Sequence, residues 1–104
     1  MSVSKRPELS VYKSFQRFMK SKNWAIDKIG ASLFCTGVPD FYAHHPIHGE
    51  RWIEIKPEGK RLRPTQFAWC VKMSKGGTKI YVLKDHTDYY LLFAAQDNWR
   101  HFLP

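Results

Sequence analysis

The residues best suited to chemistry lie between Gly37 and Lys60, in "GVPDFYAHHPIHGERWIEIKPEGK". Asp40 follows a Gly-x-Pro, and Glu54 and Lys56 stand among the apolar residues Trp52, Ile53 and Ile55. Side chains alternate along an extended strand, which puts Trp52, Glu54 and Lys56 on one face and Ile53 and Ile55 on the other. A hairpin joining "FYAH" to "RWIEIK" around Ile47 sets Asp40 opposite Glu54, with Cβ atoms roughly 4.5 to 5.5 Å apart. Two carboxylates at that range repel each other unless a cation lies between them. Ligation by oxygen alone suits Mg²⁺ or Mn²⁺. Such an ion polarises a phosphoryl oxygen and lowers the pKa of a bound water. An ammonium at Lys56 can orient that water or neutralise charge developing on the phosphate. These parts suit hydrolysis of a phosphodiester. The competing reading makes Asp40 a turn residue after Pro39, and Glu54 with Lys56 an exposed strand face.

Helices and strands must hold these groups in place. "PELSVYKSFQRFMKSKNW" has the spacing of an amphipathic helix, with Pro7 in its first turn and Val11, Tyr12, Phe15, Phe18 and Met19 on one stripe. At about 100° per residue, Glu8 falls on that stripe and is expected to point inward as a further metal ligand. Taken alone it is equally an acid at a helix N-terminus. "WAIDKI", "FYAH" and "RWIEIK" have strand patterns, and "HPIHGE" carries the Pro and Gly of a turn. "PTQFAWCVKMSKGG" predicts a second helix that starts at Pro64 and ends at Gly76-Gly77. "TKIYVLK" predicts a strand, "DYYLLF" another, and "AAQDNWRHFL" a short closing helix. The α-β-β-β-α-β order implies one small α/β domain over residues 1–104, with a mixed central sheet flanked by helices.

Composition restricts the partners. The 104 residues include 17 Lys and Arg against 9 Asp and Glu, a net charge of +8 that favours an anionic partner, nucleic acid or a lipid surface. A solvated basic surface without a specific role is the alternative. No apolar run reaches the roughly 18 residues of a membrane span, and "MSVSKRPELS" lacks the apolar core of a signal peptide. An intracellular, cytoplasmic setting is expected, that of a phage- or virus-infected host included. Cys35 and Cys70 have no metal-type spacing and are expected to be buried, reduced thiols.

The pattern Pro39-Asp40 followed by Glu54-Ile55-Lys56 resembles that of the PD-(D/E)xK nucleases. The fuller order adds Glu8 on an early helix, Gly37 before Pro39-Asp40, a basic loop and Gln66 opening the next helix. It is similar to the virus-type replication-repair nuclease (VRR-NUC) family over about residues 8–83. The resemblance implies a restriction-endonuclease-like fold and a DNA endonuclease dependent on Mg²⁺ or Mn²⁺. It implies a metal held by Asp40, Glu54 and the Ile55 carbonyl with Glu8 outside them, Lys56 as the catalytic lysine, and Gln66 completing the catalytic set. Stand-alone members are homodimers acting on branched DNA such as Holliday junctions, a substrate suited to DNA repair. The chain departs from the family at Arg63, where a Ser or Thr often caps the second helix. A restriction-type endonuclease or exonuclease with the same core, or a catalytically silent nucleic-acid-binding module, are the alternatives.

Lys60, Arg61 and Arg63 follow the catalytic strand and could clamp a nucleic-acid backbone independently of sequence; a solvated loop is the plainer reading. His44, His45 and His48 could suggest zinc or a histidine-based nuclease, but a fourth ligand is missing and a histidine-rich turn is favoured. Trp24, Trp52, Trp69 and Trp99 are expected to be core or interface anchors rather than base-stacking platforms, with Trp52 the exception because it shares the face of Glu54.

Overall fold

A computed structural model describes residues 7–29 and 36–104, with side chains from residue 10 onward. Helix α1 (Pro7–Ser21) leads into β1 (Ala25–Lys28), β2 (Phe41–His45) and β3 (Gly49–Ile55), then α2 (Pro64–Ser74) and β4 (Ile80–Leu83). This is the α-β-β-β-α-β order that the sequence predicts. Two 3-10 helices, His86–Phe93 and Trp99–His101, complete the chain. The sheet runs β1-β2-β3-β4; the first two pairings are antiparallel and β3 pairs parallel with β4 across α2. The result is a mixed sheet in a small α/β domain.

Each face of the sheet buries its own cluster. On one face Phe15 and Met19 of α1 meet Phe41, Ala43, Ile53, Ile55, Tyr81 and Leu83, joined by Tyr89 and Leu92 of the first 3-10 helix. On the other, Cys70 of α2 meets Ile80, Val82, Leu62 and Trp99. The alternation expected for β3 holds: Ile53 and Ile55 belong to the first face and Trp52 borders the second. Cys70 is a buried free thiol, whereas Cys35 lies outside the described residues. Among the described residues no helix is long and apolar enough to cross a membrane.

The closing helix expected over "AAQDNWRHFL" shrinks to the 3-10 turn Trp99–His101, and two further departures from the expected elements have local causes. Helix α1 stops at Ser21 rather than Trp24 because Asn23 adopts a left-handed φ of 69°. The Trp24 N–H then reaches back to the Met19 carbonyl (3.0 Å) and Asn23 N–H to that of Lys20 (3.3 Å), a Schellman closure. "DYYLLF" is not a strand but part of the 3-10 helix His86–Phe93. The outer edge of β4 is already occupied by side chains. Ile80 N–H donates to Asp97 Oδ2 (2.9 Å), Val82 N–H donates to Asn98 Oδ1 (2.7 Å), and Asn98 Nδ2 donates to the Val82 carbonyl (2.9 Å). With that edge taken, Tyr89 and Leu92 reach the core at the three-residue spacing of a 3-10 helix. Asp85 caps the helix by accepting from Thr87 N–H.

Candidate active site

The hairpin that carries the acids has the expected register. Phe41 pairs with Ile53 and His45 with Gly49, so the turn is centred on Ile47 and the next step outward sets Asp40 beside Glu54. The approach to Asp40 is held from two sides. Gly37 has φ 83° and sits against the first turn of α2, where an added Cβ would run into the Thr65 carbonyl. Ile29 N–H donates to the Asp40 carbonyl (2.7 Å), tying the end of β1 to the start of β2. The Asp40 carboxylate then accepts from Ile55 N–H through Oδ2 (2.9 Å).

Glu54 is 5% exposed, and among the described residues its side-chain hydrogen-bond and ion-pair partners are two, both at Oε2. Gln66 Nε2 donates to it at 2.8 Å, and Lys56 Nζ lies 3.7 Å away. Gln66 is itself oriented, because its Oε1 accepts from Arg63 N–H (2.8 Å) and leaves only the amide NH₂ to face Glu54. That bond is one half of a capping box; an Arg side chain has no acceptor with which to complete the other half. The Arg63 departure is thus met by Gln66, which satisfies the helix start and positions Glu54 together. The Lys56 backbone is fixed by donation to the Leu83 carbonyl (2.8 Å), and its side chain is 11% exposed.

Burial, and then the charge of Asp40, push the Glu54 carboxyl up to about 7, although Lys56, Arg63 and Gln66 pull it down. At Glu54, burial and the neighbouring acid therefore outweigh these three partners. Among the described residues no hydrogen bond reaches Glu54 Oε1 or Asp40 Oδ1. Two carboxylate oxygens on neighbouring acids, uncommitted among the described residues, fit a hard divalent cation. Asp40 and Glu54 are two acids, and among the described residues no group of three His, Cys, Asp or Glu gathers to hold a metal. Glu8 lies in the first turn of α1, but its side chain is outside the described residues.

These groups line an open cleft of about 690 Å³. Asp40, Glu54, Ile55, Lys56 and Gln66 all border it, as do Lys60, Arg61 and Arg63. The basic loop is anchored at its centre: Leu62 is buried and donates its N–H to the Phe102 carbonyl (2.9 Å), while Arg61 and Arg63 stay exposed on either side. Several cleft residues are absent from the sequence-based site, Tyr12 and Lys28 among them. Tyr12 was legible only as part of the apolar stripe, and nothing in the local pattern marks Lys28.

The histidines stand apart from this site. His45 is buried; its Nε2 donates to the Lys22 carbonyl (3.1 Å) and its Nδ1 accepts from Ile47 N–H (3.1 Å), which a single neutral tautomer satisfies. His48 stacks on Trp24 and His44 is exposed. Trp24 and Trp99 are buried anchors, and half-buried Trp52 packs between Tyr42 and Trp69. Compared with protein-family models, with curated proteins and with solved structures, the chain matches none.

Proposed function

We propose that this chain is a metal-dependent nuclease that hydrolyses phosphodiester bonds in DNA. The observation that carries the reading is the convergence of Asp40, Glu54 and Lys56 in one cleft rimmed by Lys60, Arg61 and Arg63. The likeness of their order in the chain to the VRR-NUC pattern supports it. Asp40, Glu54 and the Ile55 carbonyl are the residues that would hold Mg²⁺ or Mn²⁺, with Glu8 outside them. When bound, the ion supplies neutralisation of the carboxylate pair and polarisation of a phosphoryl oxygen.

The chain's own residues do the rest. Ile55 N–H holds one Asp40 oxygen and leaves the other toward the cleft. Gln66, a positioning residue, holds Glu54 Oε2. The Lys56 ammonium, nearly buried beside Glu54, presents a fixed donor to the attacking water and a positive charge to the phosphate as negative charge develops. Arg61 and Arg63 neutralise backbone phosphates and carry no sequence information. Branched DNA, cut by a homodimer with two active sites, is the substrate form and assembly we propose. A two-fold pair of sites suits a two-fold junction.

The test incubates labelled four-way junction, flap and linear duplex DNA, and a supercoiled plasmid, with Mg²⁺ and with EDTA. Cutting in Mg²⁺ alone, strongest on the junction, is expected. Cleavage that persists in EDTA, or none on any substrate, overturns the reading. Cutting of linear ends alone replaces the endonuclease with an exonuclease. A monomer by light scattering at assay concentration removes the dimer.

A further inference from the structure

The cleft has cations on two walls. Lys60, Arg61 and Arg63 line it from the connection between β3 and α2, whereas Lys28, the last residue of β1, lines it from the α1 side. The Lys28 ammonium lies 5.1 Å from the centroid of the Tyr12 ring and 5.4 Å from that of Phe41. Among the described residues no ion pair involves it. Its place is fixed relative to the acids. Lys28 is the register partner of Phe41, the residue after Asp40, and the N–H of Ile29, just past β1, donates to the Asp40 carbonyl. The two rings attract the ammonium, so less side-chain freedom remains to be lost when an anion arrives. A cation held this way on the rim of a cleft, with no carboxylate partner among the described residues, is a ready phosphate contact.

We propose that Lys28 binds the nucleic-acid backbone on the wall opposite Lys60, Arg61 and Arg63, so that the cleft grips a strand on both sides of the scissile phosphate. This rests on the nuclease reading. The ligand of the Lys28 wall is a phosphodiester oxygen, and the contact is blind to base sequence. Tyr12 and Phe41 act as positioning residues for the ammonium.

The experiment is fluorescence anisotropy of labelled four-way junctions of two unrelated sequences in EDTA, over salt from about 50 to 200 mM. Lys28→Met keeps an apolar stem and removes the charge. It is expected to weaken binding about tenfold at low salt and to reduce the slope of log affinity against log salt by about one, equally for both sequences. Lys28→Arg is expected to bind as the wild type does. Lys20→Met removes an exposed cation of α1 outside the cleft and is expected to leave the slope unchanged. The proposal is overturned if Lys28→Met binds with wild-type affinity and slope, or if Lys20→Met lowers the slope as much. Wild-type cleavage in Mg²⁺, measured on the same preparation, separates the two levels. Cutting together with Lys28-independent binding overturns this inference alone, whereas neither binding nor cutting overturns the nuclease reading with it.

Discussion

The two ends of the β2–β3 hairpin bury polar groups in opposite ways. At the turn, His45 is 8% exposed and both ring nitrogens have backbone partners, Lys22 on one side and Ile47 on the other. At the open end, Glu54 is buried just as deeply, yet one of its oxygens has no hydrogen bond among the described residues and its carboxyl is pushed up to about 7. A buried polar group whose capacity is filled stabilises the fold and specifies a turn. One buried beside a like charge, with capacity to spare, costs stability in the absence of a ligand. The hairpin is braced at its turn and left electrostatically incomplete at its mouth.

Substitutions can break or sharpen this contrast, and the largest effect is expected at the mouth. Asp40→Asn keeps an oxygen for Ile55 N–H but removes a charge from the cradle. Cleavage in Mg²⁺ should fall on the order of 10³-fold, read by single-turnover kinetics, with a melting temperature at pH 8 no lower than that of the wild type. Because Asp40 raises Glu54, the same variant should also bring the Glu54 titration down toward its ordinary range, which NMR of the carboxyl can follow.

Glu54→Gln comes next, with the opposite sign on stability. The folded carboxyl titrates near 7 and the unfolded one near 4.5, so ionisation disfavours the folded state. The penalty is absent below about pH 4.5, grows as pH rises, and is complete above about pH 7, where it reaches about 3 kcal/mol. Without metal, Glu54→Gln should therefore melt higher than the wild type at pH 8 and alongside it near pH 4. Added Mg²⁺ should raise the wild-type melting temperature at pH 8 and leave the variant unmoved. Equal melting of the two proteins at pH 8 would show that Glu54 is not strained.

The turn should respond in the ordinary direction. His45→Ala leaves the Ile47 N–H and the Lys22 carbonyl without partners and should cost about 2 kcal/mol, lowering the melting temperature by roughly 10 °C. Its cleavage rate below that temperature should match the wild type. Smallest is Gln66→Leu, which loses a helix cap and the Glu54 partner in one step. A loss of about 1 kcal/mol and a further rise in the Glu54 titration are expected.

The hairpin was readable because alternation along "RWIEIK" and the Pro46 and Gly49 around Ile47 point to one register. Asp40, Glu54, Lys56 and the basic loop group together from that register alone. Gln66 could be named, but its double hydrogen bonding depends on how α2 docks against β3, which no local pattern encodes. Lys28 was hidden for a similar reason, since its surroundings come from α1 and β2. The misread strand at "DYYLLF" shows the limit most plainly. Its β-type composition is real, but whether it pairs is decided by Asp97 and Asn98 farther along the chain.

That pair has a consequence for how the protein behaves among its own copies. A free sheet edge is a template for another chain, and Asp97 and Asn98 occupy the β4 edge with oxygens and an amide that belong to the same molecule. Among the described residues the remaining edge is β1, four residues long and carrying Asp27 and Lys28. Short length and charge both discourage a foreign strand there. Among the described residues, growth of the sheet from chain to chain is therefore resisted at both sides, by mimicry on one and by charge on the other.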